Sequence, residues 1–127
     1  MKKFKKIFML LFAITICIVA INMITQKGTI SIYNNSNIDV TNIELCYSEQ
    51  DFIKLPTIKS KDTYNTNINL PKNFSEGFIK ISYRNTLNEL QEIYLENYIE
   101  HSYKKDISIT INSIDNTGIL NIDYSIN

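Results

Sequence analysis

The chain has no tryptophan, two prolines, three glycines, two cysteines and one histidine among 127 residues. So little proline and glycine excludes a collagen-like or low-complexity polymer. One histidine and no Cys-x-x-Cys pair leave too few soft ligands for a structural zinc site. A Ser-His-Asp or Cys-His mechanism would have to run through that one histidine, His101. It lies in Tyr98-Ile99-Glu100-His101-Ser102-Tyr103 with no nucleophile signature beside it, and reads as an exposed loop residue. Asp115-Asn116 and the pair Asn35 and Asp39 supply oxygen ligands, but too few for a calcium loop, and turn chemistry explains both. The sequence therefore assigns no catalytic, cofactor-binding or metal-ligating residue. Nor does it predict an intrachain disulfide, because Cys17 lies in an apolar run and Cys46 in a polar domain. Cys46 reads as a small, half-buried hydrophobe.

Acidic residues are also missing from one place: none precedes Asp39. Thirteen basic and thirteen acidic residues cancel overall, yet they are segregated. Lys2, Lys3, Lys5 and Lys6 open the chain. From Gly28 onward eight basic residues face thirteen acidic ones. That acidic balance excludes a binder of the nucleic-acid backbone, which needs a basic face.

What the sequence does contain begins with eighteen uncharged residues, Ile7 to Ile24, of which eleven are Ile, Leu, Phe or Val. As a helix rising about 1.5 Å per residue these reach roughly 27 Å, near the hydrocarbon thickness. Thr15 can bond back to the helix backbone at little cost. Lysines on the N-terminal side predict a cytoplasmic N-terminus and everything beyond Lys27 outside. Ile18 and Met23 are poor residues three before a cleavage point, which favours a retained anchor over a cleaved signal. The expected division is a basic N-terminus at 1–6, a transmembrane signal-anchor helix at 7–24, a linker at 25–28 and an extracytoplasmic domain at 29–127.

That domain alternates apolar and polar residues throughout. Ile30 and Ile32 alternate with Thr29 and Ser31, and Asn34 to Asn37 is a turn cluster. Ile38 and Val40 open a run that continues on the opposite parity at Ile43, Leu45 and Tyr47, so a bulge is expected near Thr41-Asn42. Ile53 and Leu55 precede Pro56. Tyr64, Thr66, Ile68 and Leu70 oppose Asn65, Asn67 and Asn69. Ile79, Ile81 and Tyr83 follow, then Leu90 to Leu95, then Ile107, Ile109 and Ile111. Asp115 to Gly118 is a hairpin turn, and Leu120, Ile122, Tyr124 and Ile126 finish the chain. Seven to eight such strands predict antiparallel sheets packed face to face, with a closed barrel as the alternative.

The stretches Thr29-Ile-Ser-Ile-Tyr-Asn-Asn-Ser, Val40-Thr-Asn-Ile-Glu-Leu-Cys-Tyr and Leu55-Pro-Thr-Ile-Lys-Ser-Lys-Asp-Thr-Tyr resemble immunoglobulin-like and fibronectin type III-like domains of bacterial surfaces. With its basic anchor the whole chain resembles small membrane-anchored proteins of Gram-positive bacteria. The immunoglobulin Cys-Trp-Cys set is absent. The resemblance implies an all-β, antiparallel immunoglobulin-like β-sandwich of seven to eight strands, preceded by one N-terminal transmembrane helix. It transfers no functional residue.

One segment concentrates residue types suited to recognition. Tyr94, Tyr98 and Tyr103 lie beside His101, Lys104 and Lys105, and tyrosine offers an apolar ring, a polar tip and few rotors to freeze. These six form the candidate partner-binding patch. The alternative is that one or two rings close the end of the sandwich. The expected protein is a membrane-tethered accessory module, held by residues 7–24, that binds an envelope protein or cell-wall component without catalysis. The other readings are a secreted protein with a cleaved signal and an envelope hydrolase using His101.

Overall fold

The computed structural model describes the backbone of residues 2–25 and 27–127, and side chains at 7–21 and 27–127. A helix, α1 (Lys2–Thr25), is followed by eight strands: β1 (Thr29–Asn34), β2 (Glu44–Cys46), β3 (Phe52–Lys54), β4 (Thr63–Asn67), β5 (Glu76–Arg84), β6 (Leu90–Glu100), β7 (Ile107–Ile114) and β8 (Leu120–Ile126). In α1, Thr15 Oγ1 donates to the Leu11 carbonyl at 2.9 Å, the expected back-bond. The large apolar side chains from Ile7 to Ile21 are exposed.

The strands form two four-stranded sheets ordered β4-β1-β7-β8 and β3-β2-β5-β6. Alternation explains the core. Ile30 and Ile32 of β1, Ile79 and Ile81 of β5, and Ile107, Ile109 and Ile111 of β7 point inward and are almost fully buried, joined by Leu45, Leu95 and Ile99. Each contributes about 2 kcal/mol of burial. Two separate sheets make this a sandwich rather than a closed barrel.

Three parts of the expected architecture are corrected. First, the sheets are not wholly antiparallel. β1 runs parallel to β7, with Ile30 opposite Ile107 and Ile32 opposite Ile109. A parallel neighbour needs a long crossover, and the chain supplies one by building β2 to β6 in between. Second, the strand order is not that of an immunoglobulin domain, whose first two strands are neighbours. Here β1 lies between β4 and β7 while β2 belongs to the other sheet. Third, among the described residues no helix is long and apolar enough to cross a membrane. The transmembrane helix expected at 7–24 is therefore not found. The side chains of Lys2, Lys3, Lys5 and Lys6, on which its orientation was argued, lie outside the described residues, as does Gln26 of the expected linker.

Local chemistry fixes the connections. Asn42 takes a positive φ of 58° where the parity switches, and Val40 forms a lone bridge to Ile58 instead of opening a strand. Ile38, expected in that run, is exposed. Asn34 is buried. Its amide nitrogen donates to the Ile38 and Ile58 carbonyls, and its oxygen accepts from the Ser36 backbone and hydroxyl. At the β7–β8 turn the Asp115 carboxylate accepts from Thr117 and Ile119, and Gly118 supplies a φ of 80°. Those bonds, the Ile119 amide first, lower the Asp115 pKa. The two sheets are tied at this end, where Leu120 N donates to the Tyr83 hydroxyl and Thr86 N to the Thr117 carbonyl, both at 2.9 Å.

Candidate binding surface

The two outward faces differ in kind. On the first sheet, register aligns Asn65, Ser31, Ser108 and Ser125 across all four strands, and Thr63, Tyr33, Thr110 and Asp123 beside them. Apart from Tyr33 these are short, mostly uncharged side chains. The second sheet places Phe52, Cys46, Lys80 and Tyr94 in one row and Lys54, Glu44, Ser82 and Glu92 in the next. This face carries aromatic rings and charge together.

Lys80 organises it. Although it points away from the core, only 5% of its surface is exposed. Its ammonium lies 4.9 Å from the Phe78 ring centre and 5.4 Å from that of Tyr94, while those rings meet edge to face at 5.5 Å. Its Nζ donates to Glu92 Oε1 at 2.6 Å and stands 3.8 Å from Glu49. The hydrogen bond to Glu92 raises the Lys80 pKa, working against burial. The beneficial arrangement is a cation held by two aromatic faces and carboxylates. Cys46, the register partner of Lys80, is buried, and desolvation pushes its thiol up.

Five of the six residues singled out from sequence divide between two places, and His101 belongs to neither. Tyr94 stands on the β6 face, 44% exposed, as part of the cluster over Lys80. Tyr98, Tyr103, Lys104 and Lys105 line one shallow depression of about 660 Å³ at the end of the sandwich, with Glu96 and Glu100. Tyr98 is 59% exposed. Tyr103 is half-buried and packs against the core, its hydroxyl enclosed without a hydrogen bond. Burial, then the Glu96 charge, pushes that hydroxyl up to about 12. The ring thus partly closes the sandwich end. Lys105 Nζ stands 4.0 Å from Glu96. His101 sits exposed in the turn closed by the Tyr103 amide and the Glu100 carbonyl, outside the lining.

Sequence reasoning missed Phe78, Lys80 and Glu92. Alternation put Lys80 on a polar face, and nothing local announced that two rings would cover it. A second depression, about 640 Å³, is lined at the opposite end by Asn42, Glu44, Lys54, Arg84 and Asn88 among others. Among the described residues no three His, Cys, Asp or Glu side chains group as a metal site would require.

No family model matches the chain, and no curated protein matches it. A solved structure does. It is the NMR structure of a protein from Eubacterium rectale, 14% identical, aligned over 78% of this chain and 88% of that one with a TM-score of 0.51. The likeness is one of fold alone.

Proposed function

We propose that this protein is an exported, non-catalytic binding module whose working surface is the outer face and end of the β3-β2-β5-β6 sheet. The observation that carries the reading is the uncovered rings of Tyr94 and Tyr98, set among carboxylates on a sheet face. Large aromatics on a solvated strand lose little entropy on docking and gain much area. Export is supported by the lysines followed by an uncharged apolar run at the N-terminus. The partner is an envelope protein at the outer side of the membrane.

A photocrosslinking amino acid placed at Tyr98 of the full-length protein in living cells tests this. The expected result is one discrete crosslinked envelope protein from position 98 and none from position 65, on the polar face. Equal labelling from both positions, or a product from position 65 alone, would reject the surface named here.

A further inference from the structure

Resting on that reading, we propose how the partner is held: an extended segment, alternately basic and apolar, adds itself as a fifth strand to the free edge of β6. The sheet order leaves β6 with β5 on one side and open on the other. The direction of its backbone groups follows from bonds at the far edge of the same sheet. Leu55 N donates to Ile43 O and Tyr47 N to Asp51 O, so odd-numbered residues of that segment face β3. Alternation then turns Glu44 and Cys46 toward β5, Ile81 and Tyr83 toward β6, and the N–H and C=O groups of Leu90, Glu92 and Tyr94 toward the open side. The Tyr124 hydroxyl of β8 reaches the Tyr94 carbonyl from that side, which agrees. At 3.4 Å that contact is long for an O–H···O bond, and a strand amide can displace it.

The edge also states the chemistry of its occupant. β6 contains Glu92, Glu96 and Glu100, follows Glu89, and has no Lys or Arg of its own; Lys80 of β5 holds Glu92 and Lys105 stands 4.0 Å from Glu96, which leaves the edge's carboxylates only partly answered. Glu100 lies directly opposite Glu76 on β5. Like charges in that position destabilise a sheet unless a cation answers them. A second copy pairing β6 to β6 would set glutamates against glutamates, so the complementary strand is a basic one from another protein. On its inner face, Ile93 of β6 and Ile122 of β8 pack only partly against the core. Apolar residues of the incoming strand, alternating with its basic ones, would cover them. Regular pairing spans Leu90 to Tyr94; beyond it, β6 carries extra residues opposite Gly77 to Lys80. Those bulges confine docking to the first half of the strand.

The test uses full-length protein in a zwitterionic detergent solution, with amide hydrogen exchange read residue by residue. Three end-blocked probes are compared: an eight-residue Lys-Ile repeat, the same peptide with alternate backbone amides N-methylated, and a Glu-Ile repeat. The Lys-Ile peptide is expected to slow exchange at Leu90, Glu92 and Tyr94 at least about tenfold, and the other two to leave it unchanged. Glu89→Gln, which removes a charge beside the docking stretch and keeps an acceptor for Asn85, should weaken the effect severalfold while the fold's other protected amides stay as they were. Protection by the N-methylated peptide would show that charge acts without strand pairing. Protection by the Glu-Ile peptide would remove the basic partner. Protection without peptide that grows with protein concentration would assign the edge to a second copy. No protection from any probe would end the strand-addition proposal. A crosslink from Tyr98 can survive each of these failures, so the broader binding reading is judged separately.

Discussion

Single residues in this protein are decided by partners far away in the chain. Asn34 was legible as a turn former, but its buried role depends on the Ile58 carbonyl, which only the fold brings to it. Replacing it with alanine leaves the buried Ser36 amide without its acceptor and takes one of two donors from each of the Ile38 and Ile58 carbonyls. Asn34→Ala should cost about 2–4 kcal/mol, seen as a lower urea midpoint at unchanged slope. A loss below about 0.5 kcal/mol would mean that water replaces the network. Tyr47 shows the opposite case. Its hydroxyl is buried near the Asn69 amide, yet no hydrogen bond of good geometry satisfies it. Burial pushes its pKa from 10.0 to about 12. Between those values the unfolded chain releases the proton first, so stability falls as pH rises, by up to about 1.4 kcal/mol per unit. Tyr103 adds in the same direction. Tyr47→Phe should leave stability at pH 7 within about 1 kcal/mol of the parent and make the alkaline fall measured between pH 9.5 and 12 shallower without abolishing it. An unflattened fall would show that this hydroxyl does not titrate late.

At the scale of elements, strand existence was legible because period-2 alternation is a local property; pairing was not. The sequence placed β1, β5, β7 and β8 by their isoleucines, and the Asp115–Gly118 turn by its chemistry. It could not show that β1 joins β7 in parallel, since either direction buries the same face. The bulges in β6 were equally hidden, because they answer to the opposite strand. Gly77, beside them, carries a constraint of its own. A Cβ there would run into the Tyr47 carbonyl oxygen and lie 2.8 Å from the Phe74 ring. Backbone cannot give way as a side chain can, so Gly77→Ala should destabilise by about 2–3 kcal/mol, against about zero for Ser75→Ala in the loop just before β5. Thermal midpoints of the two variants compare them directly; equal midpoints would mean that β5 shifts freely at its start. The N-terminal helix is the element where counting residues misled. An apolar run long enough on paper is not matched by a membrane-crossing helix among the described residues.

For the molecule as a whole, the sandwich separates two surfaces that one sequence interleaves. Alternation told which residues point outward, but not which sheet each strand joins, so the contrast between faces emerged only with the topology. Hydroxyls and amides gather on the β4-β1-β7-β8 face, while rings and most of the strand-borne charge gather on the other. The candidate patch was legible in part for the same reason. Tyr98, Tyr103, Lys104 and Lys105 are near in sequence and stay near in space, whereas Phe78 and Lys80 of β5 meet Glu92 and Tyr94 of β6 across strands. The acidic side of this asymmetry makes a kinetic prediction. If the partner strand is basic, long-range attraction speeds encounter, and the Debye length governs its reach. Raising ionic strength from about 0.01 M to about 1 M shortens that length from roughly 30 Å to roughly 3 Å. Association of the Lys-Ile peptide with the full-length protein should then slow at least about tenfold, while dissociation, set by strand hydrogen bonds and apolar contact, changes less than about threefold. Surface-plasmon kinetics on immobilised protein separate the two rates. A salt-insensitive association rate would mean that the rings alone recruit the partner and that the glutamates of β6 serve only to keep its edge from pairing with copies of itself.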